Sequence, residues 1–188
     1  NDVLGPVMRG PSSSHSAAAC RIGLLLRQLM HEQITAIVID YDPNGSLVTT
    51  HESQGTDMGL YGGLLGWEAD DEQMPHYRSA LEKAGIETIV NYIDYGATHP
   101  NFYRISVSNS FITHTLSAIS TGGGMMEVLN IDGAEVSIFG DKYVVLIYGE
   151  NLGLLQSMLP DWAQGNLRLT TSFIEISTLI EFKKEEIA

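Results

Sequence analysis

The apolar residues of this chain change their spacing abruptly near residue 31, and that change most limits what it can fold into. Ala18, Ile22, Leu25, Leu26 and Leu29 recur at helical intervals, so a helix with Ser14 or Ser16 as N-cap and an end near His31 buries one face. Directly after it, "ITAIVIDY" (34–41) is rich in β-branched residues and reads as a strand. A one-faced helix followed at once by a strand requires a layered fold. "DPNG" (42–45) is a turn, and "SLVTTH" (46–51) returns as a second strand. "GTDMGLYGGLLGW" (55–67) keeps helical spacing despite its glycines. Each costs roughly 1 kcal/mol relative to alanine in a helix, which points to close packing on a neighbouring element.

"HYRSALEKAG" (76–85) is a surface helix ending on a glycine cap. Strands then dominate: 87–94, 102–109, 111–120, 125–132 and 135–139. Helices and strands mix without a strict βαβ rhythm, so the expected fold class is α+β, an antiparallel or mixed sheet with packed helices. A composition break near Asp132–Gly133 divides a first domain, 1–133, from a smaller segment, 134–188. That segment reads as a strand (141–149), a helix (150–162) stopped by Pro160, a long strand or strand pair (167–182) and a solvated "KKEE" tail.

At 188 residues and 44% hydrophobic content the chain can bury a substantial core. Ten basic against twenty-three acidic residues give a formal charge of −13. Nucleic acid and anionic membranes, both bound through Lys and Arg, are therefore not expected partners. A single cysteine, Cys20, excludes an internal disulfide and suits a reducing cytoplasmic setting. One thiol cannot hold a zinc or iron–sulfur centre, and no His/Asp/Glu set has ligand spacing, so no metal site is expected in this chain. No apolar run reaches spanning length and no signal peptide is visible. The chain opens on Asn1 rather than methionine, so further residues are expected before it.

Four polar, turn-rich clusters stand out. "GPSSSH" (10–15) precedes the first helix, where free amides and the helix dipole attract carboxylate or phosphate. Ser12, Ser13 and Ser14 add donors, and His15 can donate or accept near neutral pH. A capped helix start with exposed serines is the alternative. "ESQGTD" (52–57) offers Thr56 and Asp57 either as helix caps or as ligand groups. "THPN" (98–101) sets His99 before a proline that fixes extended backbone, which orients the ring for chemistry or merely opens a strand. "STGGG" (120–124) lets backbone approach a ligand closely, or makes a tight turn. The phosphate-loop pattern and the Gly-x-Ser-x-Gly elbow of hydrolases are both missing.

In this order the clusters are more specific than any one alone. Through "DVLGPVMRGPSSSHSAAACRIG" (2–23), "GS" (45–46), "QGTD" (54–57), "GGLL" (62–65), "HPN" (99–101) and "STGGGMMEV" (120–128), the chain resembles the β subunit of bacterial iron–sulfur-dependent L-serine dehydratases. The resemblance covers about residues 2–133. Beyond 141 the chain resembles the start of an ACT domain. The β-domain fold is in turn similar to the allosteric substrate-binding domain of some dehydrogenases.

The resemblance implies conversion of L-serine to pyruvate and ammonia, with a [4Fe-4S] cluster held by a separate α chain. A homo- or hetero-oligomer is expected. It implies His15, the residue at position 54 and His99 as catalytic groups, and Ser12, Ser13, Ser14, Thr56, Asp57 and Asn101 as substrate-binding groups. The family carries histidine before Gly-Thr-Asp, a natural base, whereas this chain has Gln54, whose amide cannot abstract a proton. His15, His99 or an α-chain group would take over, with His51 a distant substitute. A non-catalytic regulatory or anion-binding module, or a paralogue with another substrate, is the alternative that Gln54 favours.

Overall fold

A computed structural model describes residues 6–30, 33–179 and 181–182. The chain enters through a π-turn, Ser13–Ala17, and continues as α1, Ala18–Met30. Then come β1 (Ala36–Tyr41), α2 (Leu47–Thr50), α3 (Thr56–Leu64), α4 (Tyr77–Ala84), β2 (Glu87–Tyr92) and β3 (Phe102–Ser108). β4 (Thr113–Gly122), β5 (Met125–Ile131) and β6 (Ala134–Ile138) follow, and β7 (Tyr143–Ile147), α5 (Leu152–Met158), α6 (Asp161–Gln164), β8 (Leu167–Leu169) and β9 (Ile174–Thr178) complete the order.

The first sheet runs β2-β1-β3-β4-β5-β6. β1 and β2 are parallel, and the remaining neighbours are antiparallel. The fold is therefore α+β with a mixed sheet. Along β1 and β3 burial alternates residue by residue, as expected when one face is covered and the other is half open. The covered face presents Ile37, Ile39, Tyr41, Tyr103, Ile105 and Val107, and α1 and α3 supply Ile22, Leu26, Leu60 and Leu64 to the same core.

The glycines of α3 have a visible purpose. A Cβ on Gly59 would run into the Ser16 carbonyl oxygen, and one on Gly63 into that of Cys20. The two helices thus meet backbone to backbone, and α3 fixes the N-terminal end of α1, where the serine cluster sits.

The second sheet is antiparallel throughout, in the order β7-β9-β8. It leans on the first core through Phe173, Val144 and Leu146. At the junction Asp132 holds a positive φ of 51°. Its carboxylate accepts from the Tyr148 hydroxyl at 2.8 Å and pairs with His114 at 2.7 Å.

Several elements differ from the sequence reading. Residues 46–51 form α2 and not a strand. The Thr49 and Thr50 hydroxyls both donate to the Ser46 carbonyl, and the His51 amide to that of Leu47. Such local bonds favour a helical turn over extended backbone. Helix α1 is entered with Ser12, in extended conformation, at the N-cap position, so Ser14 and Ser16 lie inside the first turn. The 150–162 helix is two helices, because Pro160 starts α6 as well as stopping α5. Residues 167–182 contain the short pair β8 and β9, joined by a turn in which the Thr170 hydroxyl donates to the Phe173 carbonyl at 2.6 Å. His31 and the "KKEE" tail lie outside the described residues.

Candidate functional site

The serine cluster begins the network. Ser12 Oγ lies 3.0 Å from His15 Nδ1 and 3.4 Å from Ser14 Oγ. His15 Nε2 lies 3.2 Å from Thr50 Oγ1. Because the Thr50 hydroxyl already donates to the Ser46 carbonyl at 2.7 Å, it accepts from Nε2–H. Nδ1 is then left to accept from Ser12. The neutral tautomer of His15 is thereby assigned from its partners. Burial of the ring lowers its pKa below the usual 6.5, which keeps the imidazole unprotonated at neutral pH.

The network continues around α2. Ser46 Oγ bonds Asn101 Oδ1 and donates to the Pro100 carbonyl, and the Ser46 amide donates to Pro100 as well. The loop bearing His99 is fixed from the opposite side by Asp42. Its carboxylate accepts from the backbone amides of Asn44, Tyr95 and Ala97 at 2.9, 3.2 and 2.9 Å. Those amides, Ala97's first, hold the Asp42 carboxyl below the ordinary range. The Asn101 amide donates to His99 Nδ1 at 3.1 Å, which places the proton of a neutral His99 on Nε2. The fourth cluster closes the figure. The Ser120 amide donates to the Asn101 carbonyl at 3.1 Å, and the Ser120 hydroxyl to the Ser14 carbonyl at 2.7 Å.

The result is a closed circuit: Ser12, His15, Thr50, Ser46, Asn101, Ser120, Ser14 and back to Ser12. Three of the four sequence clusters supply members of it. Ser12, Ser13, Ser14, His15, Gln54, His99 and Asn101 are each half-buried, wet enough to meet a small molecule and sheltered enough to strengthen its polar contacts. "ESQGTD" joins through main chain, as the Ser16 hydroxyl donates to the Gln54 carbonyl at 3.2 Å. Gly55, with φ 80°, is the left-handed residue that turns the chain into α3.

Thr56 and Asp57 follow it into the interior, at 0% and 5% exposure. Asp57 there pairs with His51 instead of facing the circuit. Thr50 was missed by sequence reasoning, because it lies in a stretch that reads as strand. Its place one residue before a histidine in "TTH" was the available hint.

His15 also predicts a pH effect on stability. Its folded pKa is depressed below the unfolded value, so between those two values the unfolded chain binds more protons. Its contribution is therefore complete above about pH 6.5 and fades as pH falls through the folded pKa. Urea titrations over that window are expected to show a smaller acid-side loss for His15→Gln than for the parent chain.

No group of three or more His, Cys, Asp or Glu side chains suited to a metal ion exists among the described residues. Cys20 is buried and donates to the Trp67 carbonyl. Burial, with Glu68 and Asp70 nearby, pushes its thiol up to about 12. No helix of the described residues is long and apolar enough to cross a membrane.

No protein-family model matches the chain. Two curated relatives do. Over 146 residues it is 35% identical to a Bacillus subtilis (strain 168) protein named probable L-serine dehydratase, beta chain, covering 78% of this chain and 66% of that protein. Over 158 residues it is 32% identical to the L-serine dehydratase, beta chain, of Peptoniphilus asaccharolyticus, covering 82% and 70%. The chain thus spans about two thirds of the length of the relatives it matches.

Proposed function

The chain belongs to the L-serine dehydratase β-chain family, and from that premise we propose that it acts with an α chain to convert L-serine to pyruvate and ammonia. The observation that carries this reading is the closed circuit through Ser12, His15, Thr50, Ser46, Asn101 and Ser120. It gathers half-buried hydroxyl donors and one neutral imidazole in one place.

The residues of this chain do not fit a [4Fe-4S] cluster. Its one cysteine is buried and held as a thiol by burial, whereas a cluster requires several exposed thiolates. We therefore assign such a cluster to the α chain.

In this chain the substrate carboxylate takes the hydroxyl hydrogens of Ser12 and Ser14. Ser12 then turns away from His15 Nδ1, and that nitrogen becomes free to accept a proton. His15 takes the Cα proton while Thr50 holds its Nε2–H, which keeps the ring oriented. The proton that His15 has taken passes to the β-hydroxyl, which leaves as water with the C–O electron pair, and the resulting enamine tautomerises and hydrolyses to pyruvate and ammonia. Asn101 and Ser46 hold the opposite side of the substrate, and His99 is oriented by the Asn101 amide.

The test is pyruvate formation from L-serine by this chain copurified anaerobically with its α partner. Turnover of about 1–1000 per second is expected. A stable, cluster-loaded complex without pyruvate overturns the reading in favour of a regulatory module or a different substrate. Gln54 favours that second reading, since an amide cannot serve as base. Activity appearing only in Gln54→His would identify a lost base.

A further inference from the structure

A second set of acid–base groups lies on the other flank of α2 and is not used by the circuit. His51 is buried, with 7% of its surface exposed. Its Nδ1 lies 2.9 Å from both carboxylate oxygens of Asp57, and its Nε2 lies 2.9 Å from the Tyr92 hydroxyl. Tyr41, also buried, donates its hydroxyl to Asp57 Oδ1 at 3.4 Å. The imidazole sits between two rings, 4.9 Å from that of Tyr41 and 6.0 Å from that of Tyr92.

The direction of this relay follows from its ends. Asp57 can only accept, so it takes Nδ1–H and leaves Nε2 as the acceptor for the Tyr92 O–H. Tyr41 remains a donor, because burial and the neighbouring Asp57 charge push its phenol well above its ordinary range. The carboxylate thus orients the ring and stabilises an imidazolium, the arrangement of a nucleophile–histidine–aspartate triad. The outer member is a phenol at the end of the edge strand β2, and Tyr92 is 55% exposed. The titratable groups facing His51 are Asp57 from α3, Tyr41 from β1 and Tyr92 from β2. Glu52 is instead turned to Arg78, 3.1 Å away.

We propose that Tyr92, His51 and Asp57 form a second acid–base site, in which the Tyr92 hydroxyl attacks acyl donors and His51 is the base behind it. This site is inferred from geometry alone and does not draw on the family reading. In the step, the Tyr92 oxygen bonds to the acyl carbon as its proton passes to His51 Nε2. The bond from that carbon to the leaving group breaks, the leaving group keeps the electron pair, and it takes the proton from His51. No other reactant is needed.

The probe is N-acetylimidazole, whose leaving group is imidazole, applied to the whole chain and read by peptide mass spectrometry. Tyr143, 48% exposed, is the internal standard for a tyrosine of similar accessibility. At pH 7.5 Tyr92 is expected to be acetylated about 100-fold faster than Tyr143, the lower end of what a positioned base supplies. Asp57→Asn removes the advantage at Tyr92 and leaves the Tyr143 rate unchanged. A Tyr92 rate less than about tenfold that of Tyr143 overturns the proposal in the unaltered chain whatever the variants do.

Discussion

Replacing His15 with asparagine is expected to lower pyruvate formation by the assembled enzyme about 100- to 10,000-fold, the range attributable to a positioned general base. The loss falls on kcat, because asparagine keeps a polar atom at the Nδ1 position facing Ser12 and the other members of the circuit still bind substrate. Circular dichroism of the variant is expected to match the parent. In the parent enzyme the acid limb of kcat/KM is expected below the ordinary imidazole value of about 6.5, because burial lowers the pKa of His15. The sign follows directly: the neutral, proton-accepting ring persists to lower pH than a free imidazole would. Retention of activity within about fivefold in His15→Asn would move the base to His99 or to the partner chain.

The second large effect is on stability. In Gly59→Ala the added methyl overlaps the Ser16 carbonyl, and because the obstacle is backbone it cannot swing aside as a side chain would. A cost of about 3 kcal/mol, the upper end for overpacking, is expected. For a chain of this length that corresponds to a melting point lower by roughly 6–12 °C. Gly153→Ala is the matched control. It lies in α5 with only an ordinary contact near its Cβ position, and it stabilises by about 0.5–1 kcal/mol through helix propensity alone. Equal melting points for the two variants would show that α1 and α3 do not meet as described.

Much of this architecture was readable before any coordinates. The α1 stripe, the β-branched run of β1 and the alternating strands β3 to β6 each carry their own period, and a period is a local property. The stretch 46–51 is different. Val48, Thr49 and Thr50 favour strand by composition, yet hydroxyl bonds back to Ser46 and the contact from Thr50 to His15 make it helical. Propensity does not see a partner 35 residues away. The site divides in the same manner. Its four clusters stand out as sequence because serine, glycine and proline concentrate there. Their closure into one circuit rests on Ser120 reaching Ser14 across 106 residues, which no spacing rule encodes. The pairing of His51 with Tyr92 across 41 residues is equally silent.

One detail at the centre of the site bears on how such a chain can change over time. Gln54 meets its surroundings through main chain, its carbonyl accepting from Ser16 and its amide donating to Thr50. Any L-residue other than proline preserves both bonds, so substitution at this position is nearly free for folding while it changes the side chain the loop presents. Selection on the scaffold is blind to residue 54, and selection on the reaction is not. A lineage can therefore exchange histidine for glutamine there in a single step, gaining or giving up a proton acceptor without passing through an unstable ancestor.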